Sequence, residues 1–116
     1  VQLKGIDAPE YGQAGGEEAK AYLEKLVWGE TVTVQYAGDD QYGRILGLVL
    51  CGASRVNDEM VKEGWAWRYK YSTSKKLAAY ESEAKAGKKG LWAEPYPISP
   101  WEWRDRKRGK EKSGSF

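Results

Sequence analysis

Val1-Gln2-Leu3-Lys4-Gly5-Ile6-Asp7-Ala8-Pro9-Glu10 opens the chain, alternating apolar and polar positions up to a proline turn that carries two carboxylates, Asp7 and Glu10. Alternation with period two reads as a strand, and the turn makes its end an acidic corner. A second stretch, Asp39-Asp40-Gln41-Tyr42-Gly43-Arg44, is a polar turn leading into the apolar run Ile45 to Leu50. It places a guanidinium, Arg44, at the start of another strand. If the two strand ends meet, carboxylates suited to a hard cation and a water face a forked phosphate ligand, the parts of a metal-assisted phosphodiesterase. Taken alone, the acidic corner reads equally well as a solvated polar turn, and Arg44 as a surface residue.

A chain of 116 residues makes one domain with a single modest core. Its 41% hydrophobic and 31% charged residues are an ordinary soluble balance. No apolar run approaches the roughly 20 residues of a membrane helix, and no charged-then-apolar leader opens the sequence. A soluble chain is expected, in a compartment that this leaves open. The single cysteine, Cys51, cannot form an internal disulfide, and the absence of histidine removes cysteine–histidine zinc sites, histidine triads and histidine bases. Any metal would have to be held by oxygen. Net charge is only +2, but residues 104–112 carry a net +4, leaving −2 for the rest. Such a basic tail favours a polyanion through counterion release, although the commoner reading is a solvated, disordered terminus.

Between these landmarks the elements follow from periodicity. A mobile Gly-rich connection holding Gly12, Gly15 and Gly16 leads into an amphipathic helix over Glu17 to Trp28, with Ala19, Tyr22, Leu23, Leu26 and Val27 on one face and Gly29 as its stop. Glu30 to Tyr36 alternates and is rich in branched residues, a strand, and Arg44 to Leu50 is a buried one. Val56 to Glu63 reads as a short helix ended by Gly64, with Asn57 as its cap or as a buried structural amide. Ser74 to Gly87 reads as a third helix, and Trp65 to Tyr71 as an extended or irregular aromatic run. Pro95, Pro97 and Pro100 argue for an irregular end anchored by tryptophans. The tryptophans read as packing rather than chemistry, and Cys51 as filler.

The ordered set Leu-Lys-Gly-Ile-Asp-Ala-Pro-Glu, Asp-Gln-Tyr-Gly-Arg, Val-Asn-Asp-Glu-Met-Val-Lys-Glu-Gly-Trp-Ala-Trp, Gly-Leu-Trp and Pro-Trp-Glu-Trp-Arg resembles the staphylococcal nuclease (thermonuclease) family over residues 2–104. The resemblance implies an α+β fold, an oligonucleotide-binding (OB-fold) barrel with three helices, as a domain over residues 1–104 followed by a basic, disordered tail at 105–116. It implies a calcium-dependent endonuclease acting on DNA or RNA, preferably single-stranded. By position, Asp7 matches a calcium ligand, Ala8 the residue whose backbone carbonyl also binds the ion, Glu10 the general base, and Arg44 a transition-state arginine. Tyr69 and Tyr71 fall near substrate-pocket tyrosines. Tyr42 and Gly43 are expected to shape the turn that aims Arg44.

Two departures stand against the family pattern. Gln2 occupies the place of the second catalytic arginine. The family also sets two strands, with another calcium-binding aspartate in their turn, ahead of the position of Val1, so the first two strands are expected to be absent and the barrel open. These departures favour a rival, a weakened or non-catalytic nucleic-acid-binding or scaffold module. The open edge and the aromatic run also suit self-association or another protein partner. Family members are often exported, which leans the expectation towards a secreted or periplasmic site, with no membrane partner.

Overall fold

The computed structural model describes residues 2–114, with side chains as far as residue 109. Val1, where the first expected strand begins, and residues 115–116 of the expected tail lie outside the described residues. The architecture is α+β. In chain order come β1 (Gln2–Leu3), β2 (Ile6–Asp7), α1 (Gly16–Val27), β3 (Thr33–Asp39), β4 (Ile45–Cys51) and β5 (Ser54–Arg55). Then follow α2 (Val56–Lys62), β6 (Trp67–Arg68), α3 (Lys75–Ala86), a 3-10 turn (Gly90–Ala93) and α4 (Pro100–Gly114).

The opening strand is divided. Gly5, at φ 81, turns the backbone in the left-handed region that glycine adopts freely. As a result β1 pairs parallel with β4 (Gln2 opposite Leu46), while β2 pairs antiparallel with β6 (Asp7 opposite Trp67). The larger sheet runs β1-β4-β3, with β5 hairpinned onto β4. Among the described residues this sheet does not close on itself. Val34 and Tyr36 on β3 and Ile45 on β4 are exposed.

The three helices expected from periodicity form at their expected places. Leu77 and Ala84 of α3 are buried on one face, and Ser74 caps the helix by accepting the Leu77 N–H at 3.1 Å. Five residues of α2 are buried, and Val56, Met60 and Val61 make the centre of a core with Ala19 of α1, Val49 of β4, Ala66 and Leu77. Leu3, Leu23, Leu26 and Trp65 pack around it. Asn57 is a structural amide and not a cap. Its Oδ1 accepts the Val49 N–H at 3.0 Å, and its Nδ2 donates to the carbonyls of Lys4 at 3.0 Å and Gly47 at 3.1 Å, joining the end of β1 to β4.

The C-terminal region corrects the expectation of an irregular end and a disordered tail from residue 105. A fourth helix, α4, crosses the expected boundary at residue 104 and runs to Gly114. Pro100 does not prevent it, because in the first turn the missing N–H has no intrahelical acceptor to lose. Ser99 starts the helix: its Oγ accepts the Glu102 N–H at 3.2 Å, and its carbonyl accepts the Trp103 N–H at 3.0 Å. The tryptophans do anchor this region. Trp67 meets Trp92 edge-on at 4.4 Å between ring centroids and Trp101 at 5.5 Å. Among the described residues no helix is long and apolar enough to cross a membrane.

Candidate active site

A cleft of about 1300 Å³ opens where β1, β2, the turn before β4 and the segment after β6 come together. Gln2, Asp7, Glu10, Arg44, Tyr69 and Tyr71 all line it, so the two strand ends singled out in the sequence do share one cavity. Ala8 is not among the lining residues, and it packs against the core cluster instead. Tyr69 and Tyr71 meet edge-on at 5.5 Å, and Lys70 lies 5.0 Å from the centre of the Tyr71 ring. Arg55, Lys70 and Lys76 add positive charge along the walls.

The acidic corner is built by local backbone geometry. Pairing of β2 with β6 places Asp7 at the end of a short ladder, and Pro9 turns the chain towards Glu10. The Glu10 N–H donates to Oε1 of buried Gln13 at 3.0 Å, and Gln13 Nε2 donates to the Ile98 carbonyl at 2.7 Å. Gly16 is required where it stands, since a methyl there would overlap the Glu10 carbonyl oxygen. The Gly-rich connection is thus a fitted collar around Glu10 rather than a free loop.

Arg104 of α4 enters this corner. Its Nη2 donates to Asp7 Oδ2 at 2.7 Å, and its Nη1 to Glu10 Oε1 at 2.5 Å and to Asp7 Oδ1 at 3.3 Å. Asp7 is 15% exposed at its side chain, Glu10 41% and Arg104 34%, so the triad is half sheltered and opens on the cleft. The Asp7 hydrogen bond, opposed by burial and reinforced by Glu10, raises the Arg104 guanidinium above its already high ordinary pKa. It stays charged at every working pH.

Arg44 sits just before β4, as expected, but its charge is committed locally. Its Nε donates to Asp40 Oδ2 at 2.6 Å, and the N–H groups of Tyr42 and Arg44 both donate to Asp40 Oδ1, at 2.8 and 2.9 Å. Tyr42 lies under the guanidinium at 5.4 Å, so the expected turn-shaping role is shared, with Asp40 as its centre. The guanidinium makes no hydrogen bond to Asp7 or Glu10 among the described residues. Partial burial pushes the Asp40 carboxyl up, but the Arg44 and Tyr42 N–H groups and the Arg44 guanidinium outweigh it and hold it below its ordinary 3.8. A depressed carboxylate contributes fully above that value and is lost as pH falls through its lower folded value. The Arg44 Nε–H resonance should therefore be protected near neutral pH and lose protection only below about pH 4. An Nε–H already in fast exchange near neutrality would contradict the pairing.

Two contributors were not legible as such in the sequence. Asp40 had a signal, an aspartate two and four residues before the N–H groups that it accepts. Arg104 had only its place as the last residue of the Pro-Trp-Glu-Trp-Arg block, with nothing to tie it to the acidic corner. It lies 97 residues from Asp7 at the head of a basic segment, the composition of a solvated tail.

An acidic corner, tyrosines and basic walls share one cleft on this α+β scaffold. The chain belongs to the staphylococcal nuclease family: the sequence model described as Staphylococcal nuclease homologue matches residues 1–94. It is 44% identical over 109 residues to an uncharacterized endonuclease of Escherichia coli, covering 92% of this chain and 71% of that protein. Over 110 residues it is 42% identical to a staphylococcal-like nuclease of Arabidopsis thaliana, covering 94% of this chain and 34% of the relative. A relative in Oryza sativa subsp. japonica named "Probable staphylococcal-like nuclease" is 44% identical, with 93% of this chain and 33% of the relative covered. The chain spans about a third of the length of these plant relatives.

Proposed function

We propose that this domain hydrolyses phosphodiester bonds of DNA or RNA at the Asp7–Glu10 corner, with calcium as its metal and single-stranded substrate preferred. The observation that carries this reading is the convergence of Asp7 and Glu10 on a single cation, the Arg104 guanidinium, at the end of a cleft walled by cations and tyrosines. Their oxygens are hard donors gathered around one positive centre. That fits a calcium ion, whose oxygen shell is flexible enough to be completed by carbonyls and water. No third Asp, Glu, His or Cys joins them among the described residues, so the protein contribution is small. Asp7 would hold the ion, joined by the backbone carbonyl of Ala8, whose side chain packs into the core rather than lining the cleft, and the ion would supply polarisation of a phosphoryl oxygen.

The chain's own groups supply the remaining steps. Glu10 takes a proton from water as the water oxygen bonds to phosphorus, the ester P–O bond breaks, and the leaving alkoxide is protonated from solvent. With its Nε held by Asp40, Arg44 presents its Nη groups to the equatorial oxygens, where negative charge grows. Tyr69 and Tyr71 offer faces to unpaired bases, which a base pair would withhold. Gln2 lines the cleft; on the resemblance it takes the place of the family's other arginine, and it can donate a hydrogen bond but no charge.

The test is cleavage of a fluorescent single-stranded oligonucleotide with calcium and with chelator. Calcium-dependent cleavage that rises by tenfold or more in Gln2→Arg is expected, since one transition-state donor contributes about 10² to 10³ in rate. Inertness of both chains with oligonucleotide binding retained would favour the second reading, a binding module. That reading draws on Gln2 and on the prior engagement of both carboxylates by Arg104.

A further inference from the structure

We propose that Arg104 is a built-in counter-cation of the acidic corner, competing with a divalent cation for the Asp7 oxygens and for the negative field of Glu10 beside them, so that metal binding releases Arg104 and loosens α4. The inference rests on the metal-site reading above and adds its regulation. Arg104 lies beyond residues 1–94, where the family model matches, and within the longer stretch that the relatives cover.

The geometry is that of an occupied cation site. Three carboxylate oxygens from two residues lie within 3.3 Å of the two Nη atoms of one guanidinium. Calcium would sit 2.3–2.6 Å from the same kind of oxygen, closer than a guanidinium nitrogen and with twice the charge. Both cannot hold the same lone pairs at full strength. Asp7 and Glu10 without either cation would leave two half-sheltered negative charges side by side, which is costly. The resting state is therefore the paired one, and metal must exchange for Arg104 rather than fill an open site.

Helix α4 is arranged so that this exchange has a mechanical consequence. Its first turn is fixed independently by Ser99, by buried Pro100 and by Trp101 against Trp67. Beyond Arg104 the described side chains are exposed, and their ion pairs stay within the helix: Arg106 with Glu102 at 2.9 Å, and Arg108 with Asp105. Arg104 is thus the last described tie between α4 and the domain. On its outer side a shallow pocket of about 310 Å³ is lined by Glu10, Trp103, Lys107 and Arg108. Release of Arg104 would join this pocket to the corner and bring basic groups of α4 to the mouth of the cleft.

A site already engaged by an internal ligand binds an external one more weakly by the fraction of time it stands free. For a forked, charge-assisted contact that is one third exposed, this amounts to about ten- to a hundredfold in apparent calcium affinity. Calorimetric titration with calcium at fixed ionic strength should show Arg104→Gln binding tighter by that factor. Arg104→Lys should gain less, because an ammonium cannot fork over both carboxylates. In the unaltered protein, saturating calcium should raise amide hydrogen exchange over residues 102–108 while slowing it over residues 7–10, a result that needs no variant to fold. Measurable calcium binding with no gain in a folded Arg104→Gln variant, or unchanged exchange in α4 at saturation, overturns the inference and leaves the nuclease reading intact. No calcium binding in a folded Arg104→Gln variant, whose carboxylates are free, overturns the metal reading and the inference together.

Discussion

Glu10→Gln should lower the single-turnover rate of oligonucleotide cleavage by about 10² to 10⁴, the usual contribution of a positioned general base, while oligonucleotide affinity stays within about threefold. The substitution is chosen for what it keeps. A glutamine oxygen can still accept from Arg104 Nη1, and the Glu10 backbone N–H still donates to Gln13, so the collar that positions residue 10 is preserved. What is lost is the lone pair basic enough to take a proton from water. Asp7 cannot substitute for it. It is the more sheltered of the two carboxylates, and in the proposed mechanism its oxygens are the ones that hold the ion. A rate within tenfold of the parent would place the base elsewhere. A loss of oligonucleotide binding equal to the loss of rate would mean that Glu10 positions substrate instead.

The largest effect on stability is expected from Asn57→Asp. Asparagine answers three backbone groups at once, and its place in α2, the centre of the core, gives it 1% exposure. Aspartate keeps the acceptor for the Val49 N–H but turns a charged oxygen towards the carbonyls of Lys4 and Gly47. The Gly47 carbonyl also accepts the Lys4 N–H at 3.0 Å, so it loses less than the Lys4 carbonyl does. Lost donors, carbonyl repulsion and a buried charge together should cost about 3 kcal/mol or more, lowering Tm by roughly 10 °C or more for a domain of this size. Asn57→Leu, with similar volume and no buried charge, orphans the Val49 N–H and the Lys4 carbonyl and should cost about 2–3 kcal/mol. Thermal unfolding of both variants decides the point. A drop of under about 3 °C in Asn57→Asp would show that the amide network is not what joins β1 to β4.

Local pattern carried far in this chain, and its reach can be traced residue by residue. The stripe of Ala19, Tyr22, Leu23, Leu26 and Val27 and the stop at Gly29 specify α1, because a period near 3.6 leaves one face to bury. The same logic specifies α2 and α3, the branched, alternating run of Glu30 to Tyr36 specifies β3, and the apolar run of Ile45 to Leu50 specifies β4. Asp7, Ala8, Pro9 and Glu10 form their corner because a proline turn is a property of adjacent residues. The oxygen-only character of any metal site follows from composition, since the chain has no histidine and one cysteine.

Tertiary structure decided the rest, for reasons that one dimension does not record. The opening strand splits at Gly5 because two different partners, β4 and β6, compete for its halves. By local pattern the prolines of the C-terminal segment are breakers, yet Pro100 begins a helix because Ser99 and the Trp67–Trp101 contact hold its first turn in place. Arg44 turns to Asp40, and Arg104 reaches Glu10 across 94 residues, because packing dictates which opposite charges come within reach. Sequence determined which chemical groups line the cleft. Only the fold decided which of them are already paired there, since pairing depends on distance and sheltering from water, and neither is a property of spacing along the chain.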